Sequence, residues 1–451
     1  MNNEFIVKIE KMINDGSALG KIDNLPVFVE GAAVGETVKI ELTKINKNYL
    51  VGKILEITEP SSHRVKPICS LHNVCGSCNW QYMDYSEQLK QKQNIVAETL
   101  SRFASYKGKI DDIIASPQIN EYRCKVQMPV SQTKVSKRIL SGYYKKNSHE
   151  LINIKYCPMQ PDIINKINEF IKEQALNFEI TGYNEKTHTG ILKHIVYRIA
   201  SDLSQILVIF VLNSDFIDKN IKKLSEVLFD NFAEITGVCA NLNSKRTNVI
   251  LGKETVKIVG NSFYIENLGD YKYQVSANSF FQVNPLCAKK IFDKVKELIS
   301  TGLDLPTILD AYSGVSSFGI WLSDTASKVV CIEEVESASN DAKENIKLNN
   351  IDNITIINGD AALEFKKLID EGIKFDVSVT DPPRKGCSTE SISNLVSLTK
   401  KYIVYVSCNI ATLARDMKIL NEKGFKTIFV QPVDLFPNTY HVETIAMFEK
   451  V

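Results

Sequence analysis

The 451-residue chain has no apolar run of about 18 residues, so no segment reads as a membrane-spanning helix. Its first residues, Met1-Asn-Asn-Glu4, offer neither a basic start nor an apolar stretch, and a cytoplasmic protein without a secretory leader is the expectation. Cysteine is too sparse for a disulfide scaffold. Ten in this length, in a reducing compartment, read instead as metal-binding, catalytic or buried. Net charge is lacking too: 54 Lys and Arg against 53 Asp and Glu leave +1, which excludes a wholly basic coat. That balance hides a local excess, since Ser86 to Lys155 holds 13 basic and 6 acidic residues, a patch suited to phosphates and equally to a solvated face. With 44% hydrophobic and 24% charged residues the composition is that of an ordinary globular protein, and the length predicts two or three domains of roughly 100–200 residues. No membrane contact and no obligate protein partner are expected.

What is present begins with strands. Phe5–Glu10, Leu25–Glu30, Thr37–Thr43 and Tyr49–Ile57 alternate or run apolar over strand length, with glycine turns between them and no helix. Four or five such strands predict an OB-like β-barrel over residues 1–60. Through its Gly16-Ser-Ala-Leu-Gly20 loop and Phe28-Val-Glu-Gly31 turn the segment resembles the TRAM domain, a barrel appended to several RNA-modifying enzymes. The pattern stops after Glu59-Pro60.

Cys69, Cys75 and Cys78 follow within ten residues, a glycine after the second lets the backbone curl, and Cys157 lies far downstream. Three close thiols and a remote fourth can wrap one inorganic centre and tie two segments together. Four thiolates suit zinc and an iron–sulfur cluster alike, and the five-residue gap, longer than the spacing usual in zinc pairs, leans toward the cluster. His72 reads as an exposed loop residue. Cys124, Cys239, Cys287, Cys331 and Cys387 lack partner spacing and read as packing.

Residues 61–275 form a central α+β domain in this reading, part of 90–120 being free to pack with the C-terminal domain. Strands are predicted at Gly142-Tyr-Tyr, Ile195–Ile199, Ser204–Leu212 and Gly237–Asn241, and helices at Ile163–Ile171 and Asn220–Leu228. Arg123 and Lys125 read as part of a solvated face that could contact phosphate.

From about residue 276 to 451, strand-like runs alternate with helical stretches, which predicts a Rossmann-like α/β domain with a mostly parallel sheet. The first run ends in Asp310-Ala-Tyr-Ser-Gly314-Val-Ser316-Ser-Phe-Gly319, a small-residue turn opening a helix. Glu333 ends the second run 23 residues after Asp310, close to the roughly 20 expected of an acid holding a ribose. With Ser316 and Ser317 where more glycine would cradle a pyrophosphate, the loop suits a nucleoside without phosphates, such as S-adenosylmethionine. Asp381-Pro-Pro fixes a carboxylate on an extended turn. Tyr402-Ile-Val-Tyr-Val-Ser-Cys408-Asn409 delivers a thiol to the end of a buried strand.

Together, Asp381-Pro-Pro-Arg-Lys-Gly386, Val406-Ser-Cys-Asn409, His441-Val-Glu443 and Phe281-Gln-Val-Asn284 resemble the RNA uridine-5 methyltransferases over nearly the whole chain. The cysteine set and barrel resemble the iron–sulfur-containing branch, whose members act on 23S ribosomal RNA. The resemblance implies Cys408 as nucleophile and Glu443 as general base, and Gln282, Tyr312, Glu333, Asp360 and Asp381 around S-adenosylmethionine. It also implies Cys69, Cys75, Cys78 and Cys157 around a [4Fe-4S] cluster. Two departures are Ser316, where the family often has glycine and the cofactor loop is expected to narrow, and Ile410, where it usually has proline and the backbone is expected to loosen.

The implied chemistry has a physical logic. Carbon 5 of uracil becomes nucleophilic only after a thiolate adds at carbon 6, and a base must then remove the carbon 5 proton. A stacked base offers no open face, so the uridine is expected to flip out. Asn409, Lys385 and Arg384 are candidates to read the uracil edge. Three other readings stand beside this one: a transfer RNA enzyme, a methyltransferase for cytosine or a protein side chain, and a catalytically silent RNA-binding module in ribosome assembly.

Overall fold

The computed structural model describes residues 3–451. Strands β1 (Glu4–Met12), β2 (Ala18–Ile22), β3 (Leu25–Val29), β4 (Thr37–Ile45) and β5 (Leu50–Glu59) close into a barrel, β3 pairing parallel to β5 and the other neighbours antiparallel. Alternation along β1 buries Val7 and Ile9 while Lys8 and Glu10 face water, and a register shift between Ile9 and Lys11 then brings Met12 inward. The expected Gly16–Gly20 loop is shorter than predicted, because Ala18 already begins β2. Gly20 lies so close to β1 that a Cβ there would stand 2.4 Å from Val7.

Helix α1 (Tyr85–Phe103) follows, capped by Asp84, whose carboxylate accepts from the Glu87 amide. Its buried stripe includes Ile95, Val96 and Leu100, which share one apolar core with barrel residues and with the far C-terminal part of the chain.

A seven-stranded central sheet contains β6 (Lys125–Gln132), β7 (Ile139–Tyr144), β8 (Leu151–Asn153), β9 (Leu192–Ile199), β10 (Ile206–Leu212), β11 (Ile235–Leu242) and β12 (Glu254–Gly260), in the order β12-β11-β10-β9-β6-β7-β8. The continuous apolar run of β10 is buried on both faces. Ile206, Val208 and Phe210 meet α2 (Asp162–Asn177) and α3 (Lys219–Asn231), while Leu207, Ile209 and Val211 join a second core. That core also holds the hairpin β13 (Phe263–Leu268) and β14 (Tyr271–Ser276) and much of the C-terminal domain. Arg123 and Lys125 do not form the solvated face expected. Tyr122 and Cys124 beside them are buried, and both cations are half-buried.

The C-terminal part runs α4 (Pro285–Ser300), β15 (Thr307–Ala311), α5 (Ser317–Leu322), β16 (Lys328–Glu333), α6 (Glu336–Leu348), β17 (Ile354–Asn358), α7 (Ala361–Asp370), β18 (Phe375–Thr380), α8 (Thr389–Leu398), β19 (Thr399–Ser407), α9 (Ile410–Glu422), β20 (Phe425–Val433) and β21 (Glu443–Lys450). Its sheet order is β17-β16-β15-β18-β19-β21-β20. The strands from β17 to β19 are parallel, and β21 inserts antiparallel between β19 and β20. The order reverses between β15 and β18, the place where open α/β sheets bind ligands outside their strand ends. Because β21 runs the other way, its first residue arrives at that same edge.

Candidate active site

The register between β19 and β21 brings the two candidate reactive residues together. Ser407 pairs with Thr444, so one further step along the ladder sets Cys408 opposite Glu443. Directly opposed residues of an antiparallel pair hold their Cβ atoms about 4.5–5.5 Å apart. Cys408 is half-buried and lines a cavity of about 270 Å³ with Arg384, Asn409, Tyr440, His441 and, from the barrel, Asp15. Glu443 is buried, and its Oε1 has no hydrogen-bond partner among the described residues.

Burial dominates the electrostatics. It pushes the Cys408 thiol up to about 11, helped by the negative charges of Glu443 and Asp381 and opposed by the Arg384 guanidinium. Burial also raises Glu443 well above the usual carboxylate range, with Asp381 adding to the rise. Asp381 itself, accepting from Gln282 Nε2 at 3.2 Å, is pushed up to about 7 by burial. Burial and their mutual repulsion thus both disfavour charge on these two acids. His441 is driven down to about 4 by burial and by Arg384, whose Nη2 lies 3.4 Å from its Nε2, so its ring is neutral.

The turn beyond Cys408 is firm although Ile410 replaces the family's proline. Asn409 caps α9 by accepting from the Ala411 amide at 3.1 Å and donates to the Arg384 carbonyl at 3.0 Å. Ile410 is buried in the core. Side-chain caps and packing hold this turn where a proline would fix φ.

Beside this centre lies the β15–α5 loop. Asp310, 1% exposed, accepts from the Gly319 amide at 2.9 Å, and burial raises its carboxyl to about 8, with Asp381 and Glu333 adding to the rise. Glu333 accepts from the Gly314 amide at 2.8 Å and, through its other oxygen, from Val335. Tyr312 is half-buried, its phenol pushed up by burial and by the neighbouring Cys387, with Asp360 contributing. Asp360 is at the rim and spends one oxygen capping α7. Gln282 and Asp381 are thus hydrogen-bonded, Asp310 feels the charges of Asp381 and Glu333, and Tyr312 feels that of Asp360. Three acids at neighbouring strand ends, two of them raised by burial, suit a ligand carrying a sulfonium cation and a ribose.

Ser316 does not narrow the loop as expected. It is fully buried, takes the left-handed backbone at φ +64°, and turns its hydroxyl away to lie 3.1 Å from the Cys331 sulfur. Tyr312, at φ +62°, is a second non-glycine residue held left-handed in the same loop.

The other predicted set is also brought together. Cys69, Cys75, Cys78 and Cys157 line one small pocket with His72 and Arg123. Burial raises the Cys78 thiol to about 11, with Cys157 and Cys75 adding and Arg123 opposing, and burial raises Cys69 and Cys157 as well. His72 is half-buried, packed edge-on against Tyr82, and not the exposed loop residue expected. Among the described residues no three donors converge as they would on a single metal ion; the thiols surround a shared pocket instead. A zinc ion needs its sulfur donors about 2.3 Å from one point, while a multi-atom centre keeps its cysteines farther apart. The remaining five non-catalytic cysteines are all buried.

A larger cavity of about 760 Å³ adjoins the reactive centre, sharing Asp15 and Tyr440 with it, and runs past Gln127, His194, Tyr144 and Lys146 of the central domain. Sequence reasoning did not single out Asp310 as a buried anchor, the Arg384 contact with His441, or this junction of three domains. The acid ending the first strand was the one available signal.

Comparison with known proteins identifies the family. A family model described as tRNA (uracil-5-)-methyltransferase matches residues 84–451, and one described as TRAM domain matches residues 2–55. An uncharacterized RNA methyltransferase of Clostridium tetani is 38% identical over 449 residues, spanning 99% of this chain and 96% of the relative. Another, from Clostridium acetobutylicum, is 39% identical over 460 residues, spanning 100% and 98%. Among solved structures, the Pyrococcus abyssi tRNA (uracil-54, C5)-methyltransferase in complex with S-adenosyl-L-homocysteine is similar with a TM-score of 0.78 at 25% identity, over 98% of this chain and 100% of that one.

Proposed function

The chain belongs to the tRNA (uracil-5-)-methyltransferase family, and on that premise we propose that Cys408 and Glu443 methylate carbon 5 of a uridine in 23S ribosomal RNA. It is an S-adenosylmethionine-dependent RNA methyltransferase. The observation that carries the reading is the antiparallel register that sets a strand-end thiol opposite a buried, unpaired carboxylate.

As RNA binds, Cys408 gives its proton to solvent, and its sulfur adds to carbon 6 of the flipped uracil, leaving an enolate with electron density at carbon 5. S-adenosylmethionine supplies the methyl group to that carbon. Glu443 takes the carbon 5 proton on a free carboxylate oxygen, the ring double bond re-forms, and the carbon–sulfur bond breaks to release the Cys408 thiolate. Arg384 opposes the charge penalty on the thiolate, and the neutral His441 and Asn409 line the ring's cavity. Gln282, Tyr312, Glu333, Asp360 and Asp381 would hold the methyl donor. The large junction cavity takes the RNA strand beside the target.

For Cys69, Cys75, Cys78 and Cys157 the reading is a [4Fe-4S] cluster, supported by four thiols walling one pocket. Such a centre would cross-link the loop around residue 75 to the segment before α2. A transfer RNA substrate is the second reading, favoured by the substrate named for the Pyrococcus abyssi enzyme.

The test is RNA carrying 5-fluorouridine, whose carbon 5 fluorine no base removes as a proton. The protein should be trapped as a covalent adduct on the peptide containing Cys408, with a methyl group on the ring. Adduct on another peptide, or methylation without any adduct, would overturn the assignment.

A further inference from the structure

The turn that delivers Glu443 is held from outside its own domain, and one residue gathers the contacts. Asn438, five positions before the base, is buried and left-handed at φ +65°, a conformation asparagine tolerates better than most residues. Its backbone amide donates to Gln88 Oε1 at 2.8 Å, and its carbonyl accepts from the amides of Asn79 and Trp80, both at 3.1 Å. The side-chain oxygen accepts from Gln88 Nε2 at 3.3 Å, and the side-chain nitrogen donates to the Ile119 carbonyl at 2.8 Å and to Met159 sulfur at 3.5 Å. Every one of these partners lies between residues 79 and 159, and none comes from the sheet that carries the reaction.

The neighbours are anchored the same way. Tyr122 donates to the Pro437 carbonyl at 3.0 Å. Tyr440 packs on the barrel so closely that a Cβ on Gly16 would stand 2.5 Å from its ring, and the Tyr440 and His441 rings meet at 4.3 Å. Asn79 and Trp80 directly follow Cys78, and Met159 follows Cys157 by two positions. The turn leading into β21 is therefore referenced to the cysteine-bearing segments and the barrel, and Asn438 is where the references meet.

We propose that Asn438 is a positioning residue that sets Glu443 for proton removal by tying the turn before β21 to the cysteine-bearing segments. This rests on the function proposed above. It predicts a divided effect, because Glu443 acts only after the methyl group has been transferred, whereas Cys408 and the donor cleft sit on strands that Asn438 does not touch.

The experiment uses the full-length protein, RNA with tritium at carbon 5 of its uridines, and carbon-14-labelled S-adenosylmethionine. Asn438→Gly keeps the left-handed backbone available and removes the side-chain bonds. Methyl label should enter the protein–RNA adduct at close to the wild-type rate. Tritium release should slow on the order of ten- to a hundredfold, the cost of a misplaced group, and the adduct should persist. A parallel fall in both rates, or unchanged tritium release, overturns the proposal. If Asn438→Gly does not fold, Gln88→Leu, which removes one of the same side-chain bonds and the bond to the Asn438 backbone amide, is read by the same two outcomes. Wild-type protein run alongside separates the questions: no methyl label in wild type defeats the proposed function, while a normal wild type with an undivided variant defeats only the role of Asn438.

Discussion

Two groups of cysteines in this molecule lead different chemical lives. Cys408 stands alone at a strand end, with a carboxylate opposite it, a guanidinium beside it and a cavity in front. Cys69, Cys75, Cys78 and Cys157 face one another around an apolar pocket that Arg123 also lines. Burial raises Cys408 and Cys78 alike, to about 11. What separates a nucleophile from a set of ligands is therefore not the acidity of the resting thiol but what the neighbours can do with the proton and the bond that forms after it leaves.

Cys408→Ala gives the largest effect. Turnover should disappear while S-adenosylmethionine affinity, measured by calorimetry, stays within about 1 kcal/mol, since the donor cleft lies on other strands. Retained methylation would erase the distinction between the two groups. Next, Glu443→Gln should lower turnover by about 10²–10⁴-fold, the usual worth of a positioned base. A covalent protein–RNA adduct should accumulate, visible as a shifted band on a denaturing gel; normal product release would remove Glu443 from its role.

Alkylation of Cys408 sharpens the electrostatic half of the comparison. The thiol titrates at about 11, so its thiolate fraction falls about tenfold for each pH unit below that. The rate of modification by iodoacetamide should climb with pH in that proportion. Arg384→Ala should move the profile upward, because Arg384 is the group that favours the thiolate. A profile already flat near pH 8 would contradict the balance of charges described.

Cys78→Ala tests the other group. On the proposed cluster, bound iron and acid-labile sulfide should fall to background and Tm should drop by several degrees, because such a centre would close a long loop between residue 69 and residue 157. Unchanged iron would exclude this pocket as its site. The smallest effect belongs to Ser316→Gly. Relief of a left-handed serine and loss of its contact with Cys331 nearly offset, so donor affinity should change by less than about 1 kcal/mol.

Much of the reactive centre was legible in the sequence because its residues end strands. Asp310, Glu333, Asp381 and Cys408 each close an apolar run, and a doubly wound sheet brings such ends to one edge whatever the helices between them do. Glu443 needed more. A mostly parallel sheet would have carried the start of the last strand to the far edge. Only the antiparallel insertion of β21 between β19 and β20 sets Glu443 opposite Cys408. No local pattern announces that insertion, because a buried central strand reads the same in either direction.

Long-range contacts were illegible for the same reason. Helix α1 shows its apolar stripe in the sequence, but nothing local says that the stripe packs against α9 and β20, more than 300 residues away. Arg123 and His72 look like solvated residues by type, yet the meeting of two cysteine segments half-buries both. Asn438 carries no motif at all. Its place shows only when residues 79, 80, 88, 119 and 159 are seen around it.

Nucleoside analysis tests the central claim most directly. Purified protein is incubated with labelled S-adenosylmethionine and unmodified total RNA, the ribosomal and transfer fractions are separated, and each is digested to nucleosides. Label in 5-methyluridine from the large ribosomal RNA is the predicted result, and label in 5-methyluridine from transfer RNA would keep the chemistry while moving the substrate. Label in any other nucleoside, or in none from folded protein, would contradict the account.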